Sequence, residues 1–279
     1  MESGYTLHKG VPVPYVSLRV FGRIPAEGVC ERGTLSLYLH MNIVSREIRP
    51  IMNVTSDSQE RQVVSRQRVA DHGEVYTAKR EVNAMLDLVK EETERIDSRF
   101  LEPACGTGNF LVEILSRTME ALRKKFSRNR FEYDLASAQA VSSMYGVELL
   151  PDNVETCQNR LMDQYLETYR QHQSADASPE LERCIRFLLK KNILCGDALT
   201  LLQQDGKPIT FCEWTFIGTG GKVKRRDFEM AELLRNVEYD KPKPGEEGIL
   251  FADTGEPTFV HLPKREYPVT DYLKLPDYE

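Results

Sequence analysis

The sequence predicts an α/β fold, a parallel β-sheet with helices on both faces, and three observations carry that prediction. Short apolar runs alternate with amphipathic helical stretches from about residue 68 onward. A glycine turn, ACGTGN over residues 104–109, joins one such run to a helix. An acid closes each of the next two runs, Glu148 in YGVE and Asp197 in CGD. Strands separated by helices imply parallel pairing, and ligands of open parallel sheets bind beyond the carboxyl ends of the strands.

Taken in order, the first helix shows Val82, Met85, Leu86 and Val89 at i, i+3, i+4 and i+7, one apolar face, with Thr77 as its expected N-cap. SRFLEPA reads as a short buried strand. The helix after the turn runs from about Asn109 to Phe126, with Ile114, Leu115, Met119 and Leu122 inward. A helix through Ala138 and Val141 stops before Gly146, and YGVELL is the second strand. PDNVETCQNRLMDQYLETYRQH is a long helix with Pro151 near its start and Val154, Cys157, Leu161 and Tyr165 on one side. The next helix carries Leu181, Cys184, Ile185, Leu188 and Leu189; NILCGDAL is the third strand with its exit turn, and PITFCEW the fourth strand. Beyond Trp214 the pattern fades. GTGGKVKRRDF reads as a loop feeding a short helix around Met230 to Leu234, KPKPGEEG as a linker, and ILFA with TFVHL as a small hairpin.

The start of the chain has another character. Val16, Leu18 and Val20 alternate with polar residues, as do Leu35, Leu37, Leu39, Met41 and Ile43, which is a strand signal. This region is either a hairpin or an extension ahead of a working domain that begins near Met52. The expected organisation is an N-terminal extension over 1–51, the main domain over 52–215, and a basic loop, linker and hairpin over 216–279.

Composition narrows the function classes. The net charge of −6 argues against coating nucleic acid by bulk positive charge, although Lys222, Lys224, Arg225 and Arg226 form a local basic run that is a candidate DNA contact. No run of about 18 apolar residues marks a membrane span, and the N-terminus lacks a secretory pattern, so the expected location is cytoplasmic. Six cysteines without a C-x-x-C pair, and five histidines, lead to the expectation of reduced thiols and no metal site.

The glycine turn is not a polyphosphate site. A dinucleotide fingerprint would place Gly where Leu111 stands, and the Walker pattern is missing. A carboxylate at the second strand end, Glu148, suits a ribose diol, and one at the third, Asp197, suits the amino group of adenine. With Gly106 and Gly108 allowing close backbone approach, the three strand ends describe a pocket for an adenosine without phosphates.

HGEVYTAKREVNAMLDLV, FLEPACGTGNFLVEIL, YGVELLPDNVETCQNRL and NILCGDAL, in this order, resemble the motifs of the N6-adenine DNA methyltransferases of restriction–modification systems, and in particular their short methylation-subunit-like members. The resemblance covers about Val64 to Leu199. It implies a Rossmann-like, S-adenosylmethionine-dependent methyltransferase fold with a truncated sheet. It also implies that Thr77 touches the methionine portion of the cofactor, that Glu102, Ala104, Gly106 and Gly108 line the cofactor loop, and that Glu148 and Asp197 hold ribose and adenine. Two departures stand out. Ala78 replaces the family's usual Pro, and the tetrapeptide [NDS]-P-P-[YFW] occurs nowhere in the chain. In the family that tetrapeptide accepts the N6 hydrogens and stacks on a flipped base. Glu213 and Trp214 stand at the expected place as weak substitutes; VPVPY, residues 11–15, lacks an acceptor side chain. Three readings stay open: an adenine methyltransferase acting on DNA, shortened or completed by a partner subunit; a non-catalytic cofactor-binding subunit; and an inactive remnant.

Overall fold

The computed structural model describes residues 19–21, 77–234, 249–251, 257–259 and 262–278. The alternating stretch over 35–43, the HGEVY segment and the KPKPGEEG linker lie outside the described residues.

Within them the chain is α/β. Helices α1 (Lys79–Asp87) and α2 (Lys90–Thr93) lead into strand β2 (Arg99–Glu102), followed by α3 (Asn109–Phe126), α4 (Arg130–Ser142), β3 (Met144–Glu148), α5 (Pro151–Gln173), α6 (Pro179–Asn192) and β4 (Ile193–Cys195). β2, β3 and β4 are parallel neighbours, with Leu101 opposite Tyr145 and Glu148 opposite Cys195. Strand β1 (Arg19–Phe21) closes the other edge of β2 in antiparallel register. The segment expected to be an extension therefore contributes a strand to the sheet.

Local chemistry sets the helix ends. Asn129 and Ser178 cap α4 and α6, accepting the amides of Glu132 and Leu181, and Pro151 and Pro179 occupy first turns, where no donor is needed. The Thr77 cap is not found: α1 begins one residue later than that assignment requires, so Ala78 is the N-cap and no side chain caps the helix. The predicted helix faces are the core. Val82, Leu86, Ile114, Leu115, Met119, Leu122, Cys157, Leu161, Tyr165, Cys184, Ile185 and Leu188 are all essentially inaccessible.

The two faces of the sheet are covered differently. Alternate strand residues point to opposite sides: Phe100, Met144 and Ile193 join the cluster built by the helices, whereas Leu101, Tyr145, Val147 and Leu194 pack with Ile209, Phe211 and Met230. The expectation of helices on both faces holds in part: among the described residues the second cover is one short helix, α7 (Met230–Leu234), together with the start of β5 (Thr210–Ile217).

The fourth strand is corrected as well. PITFCEW does form a strand, but β5 pairs antiparallel with β6 (Lys222–Glu229) in a separate sheet, together with β9 (Arg265–Glu266) and β10 (Thr270–Asp271). KVKRRDF is therefore strand rather than loop. Its inward positions are Val223, Arg225 and Asp227, and the last two form a buried bidentate ion pair at 2.8 and 2.9 Å. The expected hairpin over ILFA and TFVHL is present as β7 (Ile249–Phe251) paired with β8 (Pro257–Phe259).

Leu115, fully buried in α3, should cost about 2–5 kcal/mol when cut to Ala. Urea unfolding followed by the fluorescence of Trp214, the single tryptophan, measures this, and a change near zero would contradict the packing described.

Candidate functional site

The site grows from the end of β2. After Glu102 the chain turns through Gly106 (φ 51°) and Gly108 (φ 85°), left-handed conformations that side-chain-bearing residues rarely adopt. Gly108 caps α3, with its amide donating to Cys105 O (2.8 Å) and its carbonyl accepting from Val112 N (2.9 Å). It also needs to be small: a Cβ there would stand 2.6 Å from Cys157 Sγ. Gly146 on β3 is constrained likewise, since a Cβ would meet Cys105 Sγ at 2.9 Å.

Glu148 closes the turn from the neighbouring strand. Its Oε2 accepts the amide of Gly106 at 2.9 Å, and its Oε1 accepts Leu150 N at 3.0 Å and Asn153 Nδ2 at 3.4 Å. The structure thus brings two of the sequence candidates into direct contact. Asp197 sits two residues beyond β4, whose end is in register with Glu148. Its carboxylate accepts Leu199 N (2.8 Å) and the Thr200 hydroxyl (3.1 Å), which leaves lone pairs over. Ala104 is exposed. Thr77 is half-buried, and its carbonyl accepts Asn109 Nδ2 at 3.0 Å.

Glu102 has a different environment. It is 5% exposed, its Oε2 has no hydrogen-bond partner, and burial, followed by the nearby Cys157 and Glu148, pushes its carboxyl well above the usual range. The Cys105 thiol is pushed well up too, first by its hydrogen bond with Cys157 and then by burial.

Three contributors carried no sequence signal for this role. Arg160 donates from α5 to Thr107 O, Thr107 Oγ1 and Asn109 Oδ1, at 2.6, 2.9 and 2.8 Å. Asn153 braces Glu148, and Cys157 lies under Gly108. Only Cys157 was marked by position, as part of an apolar stripe.

Glu213 and Trp214 lie elsewhere. Glu213 is 8% exposed and pairs with Arg99 Nη1 (3.0 Å), at the start of β2, and with Arg226 Nη2 (2.6 Å). Trp214 is buried against Phe187 and donates to Asn192 Oδ1 at 2.9 Å, just before β4 begins. Both are tied to the amino ends of the parallel strands, while the glycine turn lies at the carboxyl ends. β2 alone separates those ends by about 10 Å. Trp214 is a core residue, and this pair does not take the place of the missing tetrapeptide at the turn. The basic run is likewise occupied: Lys222, Lys224 and Arg226 face Asp271 (4.0 Å), Glu266 (2.8 Å) and Glu213, and Arg225 is buried on Asp227.

Gly108→Ala should destabilise by about 1–3 kcal/mol from backbone strain plus a steric clash. Adding Cys157→Ala should recover the steric part only, and Gly218→Ala (φ 60°, open surroundings) should show strain alone; chemical denaturation of the set checks this. Glu102→Gln tests the buried acid. A carboxyl whose folded pKa is raised costs nothing below its unfolded pKa, and stability falls as pH rises through the interval up to the folded value. The ligand-free Gln variant should lack that fall, so its advantage over the parent should grow with pH in unfolding experiments.

Residues 76–210, 135 of the 279, match the family model described as MmeI, DNA-methyltransferase domain. No curated protein and no solved structure matches the chain. The match covers the stretch that holds the glycine turn, Glu148 and Asp197, and it supports a methyltransferase of restriction–modification type for residues 76–210.

Proposed function

We propose that the chain serves the methylation of adenine N6 in DNA, in a restriction–modification system, with S-adenosylmethionine as methyl donor. The observation that carries this reading is the contact of Glu148 with the amide of Gly106, which joins a close-approach backbone turn to a rim carboxylate.

The residues present fit the cofactor. Gly106 and Gly108 leave the turn free of Cβ atoms. Glu148 has lone pairs remaining for ribose hydroxyls, and Asp197 for the adenine amino group. Thr77 borders the methionine portion. Glu102 holds a buried oxygen without a donor, and a cationic ligand would supply the charge that this oxygen lacks. When bound, S-adenosylmethionine supplies an electrophilic methyl group on sulfur. The residues named here bind and orient the cofactor; none of them accepts the N6 protons of the target adenine in DNA. That acceptor would come from another part of this chain or from a partner subunit, and DNA contact would rest with the same partner or with Lys222, Lys224 and Arg226.

A second reading, a cofactor-binding subunit or inactive remnant without transfer activity, is favoured by the missing tetrapeptide and by the placement of Glu213 and Trp214.

Calorimetry with S-adenosylmethionine should show binding that Glu148→Gln and Asp197→Ala each weaken by about tenfold, the worth of a charge-assisted hydrogen bond. No binding by the parent would end the enzyme and the cofactor-binding-subunit readings and leave the inactive remnant. Transfer of labelled methyl to DNA, with and without cellular extract, separates them: none under either condition ends the enzyme reading. A Glu213→Gln variant should keep whatever transfer the parent shows.

A further inference from the structure

We infer that Arg160 is a positioning residue that holds the Thr77 segment against the glycine turn and so shapes the amino-acid end of the pocket. The inference rests on the S-adenosylmethionine reading of that pocket.

The argument runs through one amide. Arg160 Nη1 donates to Thr107 O, Thr107 Oγ1 and Asn109 Oδ1. A guanidinium has donors only. The Asn109 amide must therefore turn its oxygen to Arg160, and its NH2 is aimed the other way, where it donates to Thr77 O at 3.0 Å. Thr77 is 32 residues away in sequence and stands just ahead of α1, whose N-cap has no side-chain bond of its own. Arg160, on a third element, thereby sets the distance between two segments that do not share a strand or helix.

The turn is thus held from two sides with separate duties. Glu148 holds Gly106, at the nucleoside side of the pocket. Arg160 holds Thr107 and Asn109, and through Asn109 it holds Thr77, which borders the methionine portion. Loss of Arg160 frees the Asn109 amide to rotate and releases Thr77 O.

Two ligands separate these duties: S-adenosylhomocysteine, which carries the amino-acid tail, and 5′-methylthioadenosine, which lacks it. In the full-length chain, Arg160→Ala should weaken S-adenosylhomocysteine about tenfold and leave 5′-methylthioadenosine within about twofold. Millimolar guanidinium ion should recover part of the loss. Asn109→Asp keeps the acceptor for Arg160 and suits a helix N-terminus, but it removes the donor to Thr77, so it should reproduce the same split in a folded protein. Equal weakening of both ligands by Asn109→Asp would overturn the inference.

Amide hydrogen exchange on the ligand-free protein gives an independent decision. Either variant should speed exchange around residues 77–82 while leaving α6 unchanged. An unchanged 77–82 segment in Asn109→Asp would overturn the relay even if ligand binding were retained. If the parent bound neither compound, the pocket reading would fall, and exchange would still decide whether Arg160 positions Thr77.

Discussion

The carboxylate of Glu148 is the constraint on which the rest of the site depends. It sits at the end of β3 and takes donors from three places: the amide of Gly106 across the sheet, the amide of Leu150 beyond its own strand, and the side chain of Asn153 on α5. Hydrogen bonds to a charged acceptor contribute about 1.5–3 kcal/mol each. They fix how far the glycine turn stands from the second strand. The left-handed conformations at Gly106 and Gly108 cost glycine little, and this bracing selects them from the many others that glycine can adopt. Glu102 shows the other side of the same design. Close by, with no donor to its Oε2, it is buried and its carboxyl is pushed well above the usual range.

The helices and the first three strands were legible because their signals are local. A stripe of apolar residues every three or four positions marks a buried helix face whatever it packs against, and α3, α5 and α6 bury the residues so marked. The direction of β5 was not legible. A run such as ITFCEW has the composition of a buried strand in a parallel or an antiparallel setting, and only its partner decides. That partner was hidden. The inward face of β6 carries Arg225 and Asp227, so its alternation is one of charge and not of hydrophobicity. Arg225 is buried because Asp227 neutralises it, Tyr267 lies against its plane, and Trp214 lies 5.6 Å away. A pair of that kind reads as surface in a sequence.

The candidate site divides in the same way. Glycines and strand-end acids announce themselves by position, and Glu148 meets Gly106 as that position implies. Arg160, Asn153 and Cys157 act on the turn from a helix that begins 43 residues after Gly108, and their chemistry depends on how that helix is docked. Cys157 was visible only as one more buried position. Its reason for being small is the approach of Gly108, and the reverse holds as well, so two residues restrict each other without either carrying a recognisable motif.

This two-sided bracing bears on how the turn meets a ligand. Glu148 and Arg160 come from different elements, grip adjacent residues, and are engaged with no ligand bound. The ordering cost of the turn is therefore met at folding and not at binding, which favours tight association for a given set of contacts. The opposite rim has no such arrangement. There Glu213 and Trp214 are consumed in holding β5 to β2 and α6, with Arg99, Arg226 and Asn192 as partners. Side chains committed to joining two sheets cannot also move to meet a base. One end of the sheet is thus braced ahead of any ligand and the other is committed to joining the two sheets, which is the division that the proposed reading requires of a chain that holds a nucleoside and leaves the rest of the reaction to other residues.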